Sequence, residues 1–438
     1  MAGRRERRSI ILVVAMVAIF LASGDLPGQF EELDNGARIL LSHISSILPP
    51  EQQRVAVLLL LDIGEEHDPE GRSGLAHLIE HLLITSAAGE FEATTAGEWM
   101  ARHGGQCNAQ TSGNTTLIAE MVPPEKTIEA ITRMAARLGD LKPTAEILER
   151  EKARLLVELT NMQQRIPRLA AANRIRTAVN PLPGDGRHGG IADEVSAITL
   201  EEVEERLASY YKASRMRLAL VGPFDPIVVR AAIAEIVAPL PAGCPLPVKA
   251  KRLEVVRGTL SPGIPFPQNA GAFKPFVCKG WRAPTPLDDD YLPFLIAAAR
   301  LLHRGIGIPE LPPPAFWAPV DDPELFILTE PLEDGEDVAA AVERIDARMR
   351  AATQGPIKDI DHSRTQSLLG LYTGLQTVPI RITLANPYLP ALIFARHDLW
   401  KIEGHKWRRA FARVTAEDLE ALAEDRLAIE NSAWIEVR

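Results

Sequence analysis

The stretch Gly74-Leu75-Ala76-His77-Leu78-Ile79-Glu80-His81 places two histidines four residues apart, with a glutamate between them. On an α-helix, residues at this spacing lie on one face, so both imidazoles can point at a single site. Glu80 lies three residues after His77 and therefore borders the same site. The leucines and the isoleucine of the stretch supply an apolar surface that would bury the rest of the helix.

Two imidazoles with a neighbouring carboxylate are the groups that a catalytic zinc site uses. Neutral imidazoles bind zinc at about 2.0–2.1 Å, and catalytic sites combine three protein ligands with an open position for water. A carboxylate beside such a site can accept a proton from the water, which zinc acidifies. The same spacing also occurs by chance in helices without a metal, so the pattern needs support from elsewhere in the chain.

The sequence on both sides of this stretch predicts a sheet packed with helices. Residues 55–63 are almost all aliphatic, which is typical of a central strand buried on both faces. Asn35-Gly36 and Gly113-Asn114 predict hairpin turns. We expect one helix over residues 73–86, with Ser73 as its N-cap, and a longer one over residues 144–164.

The later part of the chain repeats this order of elements. Thr199-Leu-Glu-Glu202 and Thr415-Ala-Glu-Asp418 have the form of capping boxes, and each helix they open leads into a strand. Residues 239–267 are rich in proline and glycine and predict a linker. We therefore expect an α+β fold with two similar α/β sandwich domains, at 30–238 and 268–438, in which mixed or antiparallel sheets pack against helices. The second domain has no H-x-x-E-H copy.

The N-terminus predicts export. Four arginines (Arg4, Arg5, Arg7 and Arg8) precede an apolar run of 13 residues, 10–22. As a helix that run spans roughly 20 Å, which is shorter than the ~30 Å hydrocarbon core of a bilayer. Residues 1–24 therefore fit a secretory signal cleaved near Gly24, and an uncleaved membrane anchor is the alternative. In either case we expect a periplasmic protein, or one anchored in the membrane and facing the periplasm.

The composition limits the classes of function. A length of 438 residues favours more than one domain. The formal net charge of −10 argues against a nucleic-acid-binding surface. Three widely separated cysteines cannot build a disulfide framework or a cysteine-rich metal site.

The H-x-x-E-H order resembles that of the pitrilysin/insulinase-type (inverzincin) metallopeptidases, which include the mitochondrial processing peptidases and short bacterial members. Leu33-Asp34-Asn35-Gly36 and Gly74-Leu75-Ala76-His77 add to the likeness. The resemblance implies that His77, His81 and a glutamate on a later helix bind zinc, with Glu80 as the general base. Residues 82–86 depart from the family, which usually has an aromatic residue and a Gly-Thr step there.

The resemblance identifies Glu158 as the third zinc ligand. It also places Glu151, seven residues earlier and on the same helix face, in a supporting position. We expect Glu151 to orient one of the ligands or to adjust the charge of the site. A solvated carboxylate in a charged helix is the alternative for Glu158.

Two further likenesses concern the substrate. Asn108 and Ala109, within Gly104-Gly105-Gln-Cys-Asn108-Ala109, resemble a pair on a strand beside the zinc that adjoins the bound peptide. A turn-forming role is the alternative for Asn108. Arg381 and Tyr388, seven residues apart, resemble a pair that binds substrate and stabilises the oxyanion, although Pro387 is expected to disturb a helix there.

The resemblance implies a zinc-dependent endopeptidase that hydrolyses peptides or unstructured segments. Members of the family enclose substrate between two halves, each built from two such domains, so this chain corresponds to one half of a clamshell. The resemblance therefore implies either a homodimer or a heterodimer with a sister peptidase-like subunit. One alternative is a non-catalytic peptide-binding or scaffold subunit, although such subunits usually lose metal ligands. Another is a membrane-anchored maturation factor with a structural zinc, which would need a fourth protein ligand.

Overall fold

The structure is a computed structural model that describes residues 30–44, 46, 48–165, 167–181, 189–247, 256–264, 275–302, 315–318, 322–359, 361, 365, 386–402 and 404–438. The signal or anchor predicted for residues 1–24 lies outside the described residues, as does Arg381. Within these described ranges, no helix is both long enough and apolar enough to cross a membrane.

The first sheet has six strands. They are β1 (Glu31–Glu32), β2 (Arg38–His43), β3 (Val55–Leu61), β5 (Gln106–Thr111), β6 (Thr116–Val122) and β8 (Met216–Gly222), while β4 (Ala87–Ala88) and β7 (Leu141–Lys142) form a separate pair. Their order is β1-β2-β8-β3-β6-β5. β2 runs parallel to β8, and all other neighbours are antiparallel. Both predicted hairpins are present, β1 with β2 and β5 with β6.

The second sheet repeats the connectivity of the first. Its strands are β9 (Gly258–Thr259), β10 (Phe276–Arg282), β11 (Ala315–Ala318), β12 (Asp322–Pro331) and β13 (Ser432–Val437). Their order is β11-β12-β10-β13-β9, with the one parallel pairing between β9 and β13. These five correspond in order and direction to β5, β6, β3, β8 and β2 of the first sheet. The expected α+β fold with two similar units is therefore confirmed.

The helices follow the order expected from the sequence. They are α1 (Leu75–Thr85), α2 (Ala96–His103), α3 (Thr127–Gly139), α4 (Ala145–Arg165), α5 (Pro167–Val179), α6 (Ala192–Ala197), α7 (Leu200–Ser209), α8 (Pro226–Ile236), α9 (Tyr291–Leu302), α10 (Val338–Thr353), α11 (Tyr388–Leu399), α12 (Gly404–Phe411) and α13 (Ala416–Glu424). The capping boxes at Thr199 and Thr415 form as predicted. Pro387 precedes α11 rather than interrupting it.

The central strand β3 is buried on both faces, as its aliphatic sequence predicts. Val57 and Leu59 belong to the core that contains α1, whereas Leu58 and Leu60 belong to a cluster on the opposite face. We call these the inner face and the outer face of the first sheet. Alternation of side chains along the strand produces this division.

Each sheet is covered on one face by a helix from the other half of the chain. α11, from the later half, packs on the outer face of the first sheet. α5, from the earlier half, packs on β10 and β13 of the second sheet. Gly280 permits the close approach of α5, since a Cβ there would lie 2.5 Å from Cγ2 of Ile175. The two halves are therefore joined by a reciprocal exchange of helices.

The linker predicted at residues 239–267 contains a structural element. Gly258–Thr259 is β9, and it supplies the parallel partner of β13. The exact domain boundaries stay a prediction.

Candidate metal centre

Helix α1 carries the H-x-x-E-H sequence, and its start is held by a carboxylate from outside the helix. Gly74, with φ +93°, is the N-cap, so the prediction of Ser73 as N-cap was wrong. Asp68 accepts hydrogen bonds from the backbone N–H groups of Gly74 and Ala76, both at 2.9 Å. A left-handed conformation favours glycine, which lacks a Cβ and therefore carries no side-chain cap.

His77, His81 and Glu158 meet at one point. One possible ligand atom from each of the three lies within 4.8 Å of the others. Nε2 of His77 is 4.0 Å from Oε1 of Glu158, and Nε2 of His81 is 3.6 Å from Oε2. Glu158 comes from α4, and its side chain is 47% exposed, so this side of the cluster is open to solvent.

Both imidazoles are oriented through their other nitrogen. Nδ1 of His77 lies 3.3 Å from the carbonyl oxygen of Gly189, and Nδ1 of His81 lies 3.5 Å from Oε2 of Glu151. An acceptor at Nδ1 holds the proton there and leaves Nε2 as the ligand atom. Glu151 lies where the helical spacing from Glu158 predicts it. Gly189 could not be found in this way, because it lies 112 residues from His77 along the chain.

Glu151 is a buried anion. Its side chain is 1% exposed and accepts hydrogen bonds from Nε of Arg150 at 3.0 Å and Nη1 of Arg154 at 2.9 Å. Burial alone would raise the pKa of Glu151, but the hydrogen bond with His81 and the two guanidinium groups together lower it. Glu151 is thereby suited to orient His81 as a charged acceptor.

The site favours positive charge. Burial would lower the pKa of His81, but hydrogen bonds with Glu151 and Glu158 and the charge of Glu80 raise it to about 9. Three carboxylates therefore surround the two imidazoles and stabilise a cation between them.

Glu80 lies beside the cluster with its carboxylate buried. Burial raises the pKa of Glu80, while His77 and a hydrogen bond from Thr111 act in the opposite direction. The hydroxyl Oγ1 of Thr111 donates to Oε2 of Glu80 at 2.7 Å. Thr111 was not among the residues predicted for the site. Its place at the end of β5, next to the hairpin turn, was the one available signal.

Strand β5 is the edge strand of the first sheet nearest the cluster, and it contacts α1. The N–H of Ser112 donates to the carbonyl of Thr115 at 2.8 Å. Because hydrogen-bonded and non-hydrogen-bonded pairs alternate along an antiparallel ladder, the N–H and C=O of Ala109 point away from β6. The side chain of Ala109 packs on the inner face. Asn108 is exposed, and alternation places its side chain on the opposite face.

Tyr388 does not join the cluster. It is the first residue of α11 and packs against the outer face of the first sheet, whereas α1 lies on the inner face. Arg381 lies outside the described residues. Tyr388 is therefore not brought to His77 and His81, and its predicted pairing with Arg381 stays a prediction.

The donor set fits zinc. Two imidazole nitrogens and one carboxylate oxygen leave a tetrahedral ion an open position, which is the arrangement of catalytic zinc sites. Among the residues that the structure describes, this is the one group of three or more histidine, cysteine, aspartate or glutamate side chains with spacing suited to a metal.

Comparisons with known proteins identify the family and the fold of this region. A sequence profile described as Insulinase (Peptidase family M16) matches residues 44–184. Protease 3 of Salmonella typhimurium is 27% identical over 210 residues, which are 47% of this chain and 21% of that protein. The match therefore spans about a fifth of the relative's length.

Solved structures share the fold over 94% of this chain. A protease from Helicobacter pylori superposes with a TM-score of 0.74 at 17% identity over 99% of its own chain. The periplasmic protease PqqL from Escherichia coli gives 0.70 at 14% identity over 48% of its chain. A peptidase M16 inactive domain from Pseudomonas fluorescens gives 0.69 at 16% identity over 98% of its chain.

The resemblance inferred from the sequence is thus confirmed. The region that carries His77, Glu80, His81 and Glu158, residues 44–184, is a domain of the insulinase (M16) peptidase family.

Proposed function

We propose that the protein is a zinc-dependent endopeptidase of the insulinase family, with His77, His81 and Glu158 as the metal ligands. The observation that carries the proposal is the meeting of three donor atoms within 4.8 Å, with the buried carboxylate of Glu80 beside them. A separate hydrogen-bond acceptor at the Nδ1 atom of each histidine also supports it. Two histidines on a solvated surface would not need both imidazole rings to be oriented.

Zinc, when bound, would acidify a water molecule and polarise the carbonyl of the scissile peptide. Glu80 takes the proton of the attacking water and then delivers it to the leaving amine. Because Thr111 holds Oε2 of Glu80, we assign both proton transfers to Oε1. The buried position of Glu80 supports this role, since burial favours the protonated form that must follow the first transfer.

The substrate would be an extended peptide or an unstructured segment. The outward N–H and C=O of Ala109 can add a further strand to β5 through main-chain hydrogen bonds. Such binding depends little on side chains, which suits a peptidase of broad sequence preference. Asn108 would contact the peptide from the exposed face of the strand.

A second half is part of the proposal. The chain covers 48% of PqqL, and a homodimer or a heterodimer with a sister subunit would complete an enclosed chamber. Because Tyr388 lies on the outer face, Arg381 and Tyr388 would serve the site of a partner molecule rather than their own. Export to the periplasm, by a cleaved signal or an anchor, agrees with the description of PqqL as a periplasmic protease.

A non-catalytic scaffold or peptide-binding subunit is the second candidate. The observation that favours it is the similarity to a structure described as a peptidase M16 inactive domain. A scaffold has no need of a buried base hydrogen-bonded beside a complete ligand set, so the endopeptidase is the better supported of the two.

The test compares wild type, Glu80→Gln and Glu70→Gln for zinc content and for cleavage of a mixture of unstructured peptides. Glu80→Gln should bind zinc as wild type does but lose at least about 100-fold in kcat, the usual contribution of a general base. Glu70→Gln removes an exposed carboxylate nearby and should match wild type. Full activity of Glu80→Gln would refute the mechanism, and an inactive wild-type dimer would favour the scaffold.

A further inference from the structure

Glu65 contacts Gly189, the residue whose carbonyl orients His77. It lies in a short 3-10 turn, Glu65–His67, which follows β3. Its Oε1 accepts a hydrogen bond from the N–H of Gly189 at 2.9 Å. The carbonyl oxygen of Gly189 lies 3.3 Å from Nδ1 of His77. The chain of contacts therefore runs from a carboxylate through one residue of backbone to the imidazole.

The backbone at Gly189 and Gly190 is packed directly onto the start of α1. A Cβ on Gly190 would lie 2.7 Å from the Cα of Gly74, and a Cβ on Gly74 would lie 2.9 Å from the carbonyl oxygen of Gly189. Gly74 and Gly190 also have φ values of +93° and +115°, which side chains rarely adopt. This contact leaves little freedom for the Gly189 carbonyl and keeps it next to His77.

The same 3-10 turn also holds the hairpin that supports Glu80. The N–H of Glu65 donates to the carbonyl of Ser112 at 3.1 Å, and the N–H of Glu66 donates to that of Gly113 at 2.8 Å. Ser112 directly follows Thr111, whose hydroxyl donates to Glu80. Glu65 therefore supports both parts of the proposed site. Its side chain bonds to Gly189 beside His77, and its backbone bonds to the hairpin that carries Thr111, the partner of Glu80.

We propose that Glu65 is a positioning residue of the metal centre. It fixes the backbone of Gly189, so that the carbonyl of Gly189 orients His77 and His77 presents Nε2 to the metal. The inference rests on the proposed zinc site. His81 contacts a carboxylate directly, that of Glu151, whereas His77 is linked to the carboxylate of Glu65 through the backbone of Gly189. Because the N–H and the C=O of Gly189 belong to consecutive peptide groups that meet at its Cα, the carboxylate acts by holding this residue in place.

The experiment measures zinc affinity by competition with a chromophoric chelator and records the visible absorption of the Co²⁺-substituted protein. Glu65→Leu removes the acceptor, whereas Glu65→Gln keeps an amide oxygen that can accept from Gly189. Glu70→Leu, a matched control on the same loop, removes an exposed carboxylate. The backbone bond from Glu65 to Ser112 persists in every variant, and thermal unfolding of the metal-free proteins checks that each is folded.

We expect Glu65→Leu to weaken zinc binding at least about tenfold and to change the Co²⁺ spectrum, as loss of a group that orients a ligand does. Glu65→Gln should stay within about threefold of wild type, and Glu70→Leu should equal it. Equal affinity and equal spectra in all variants would overturn the role of Glu65 alone, as would a Glu65→Gln protein as weak as Glu65→Leu. A wild-type chain that binds neither metal would overturn the proposed function and this role with it.

Discussion

Asp398 joins the exchanged helix α11 to the first sheet, and Asp398→Asn should loosen that joint. Its carboxylate accepts from Arg38 at 2.6 and 2.5 Å and from Arg217 at 2.9 Å, with the Asp398 side chain 11% exposed. Removing one partner of a fully buried ion pair lowers the free energy of unfolding by about 3–5 kcal/mol. In the Asp398→Asn variant, Arg38 retains its ion pair with Glu32 at 2.9 Å and Arg217 retains that with Asp62 at 3.3 Å. The loss in free energy of unfolding should therefore be smaller. We expect about 2 kcal/mol.

Hydrogen exchange on the metal-free protein measures this loss at the helix itself. A loss of about 2 kcal/mol predicts exchange about 30-fold faster at the amides of α11. Glu32→Gln is the matched control, because it removes the exposed partner of the same Arg38 and should cost less than about 1 kcal/mol. If Asp398→Asn exchanges no faster in α11 than Glu32→Gln does, the joint does not depend on this carboxylate.

Two further predictions concern the support of Glu80 by Thr111 and the binding of peptides at β5. Thr111→Val keeps the shape of the side chain but removes the donor to Glu80, so kcat should fall about tenfold with zinc content unchanged. Unchanged kcat, measured by peptide cleavage, would show that Glu80 does not need this hydroxyl. Ala109→Pro removes an outward N–H that β6 does not use, so KM for peptides should rise about tenfold while the melting temperature stays close to that of wild type. An unchanged KM would argue against strand addition at β5.

The sequence allowed the local elements to be predicted because each depends on neighbours a few residues apart. Thr199 and Thr415 bond to the third residue of their own helices, and Thr144 accepts from the N–H of Ile147. The spacing of His77 and His81 is likewise a property of one helix. Glu158 needed the family resemblance, since it comes from a separate helix.

Contacts between distant segments could not be predicted. Thr111 reaches Glu80 from 31 residues away, and Gly189 meets His77 across 112. No short sequence pattern predicts such contacts, because they depend on how the sheet and its loops pack together. The position of Tyr388 could not be predicted either, since its spacing from Arg381 in the sequence says nothing about the face of the sheet on which it lies.

Because the two halves exchange helices, the candidate metal centre depends on residues beyond those that form it. Residues 44–184 contain all three ligands, but they do not contain the cover for the outer face of their own sheet. Leu58 and Leu60 on that face are 0% and 1% exposed because α11 packs there. At roughly 25 cal/mol per Å², uncovering such side chains costs about 1.5–3 kcal/mol for each one. The second half has no H-x-x-E-H sequence of its own, yet it supplies this cover. The sheet that carries the candidate metal centre is therefore stabilised by α11 from the other half, which is a physical reason for a half without the H-x-x-E-H sequence to be retained.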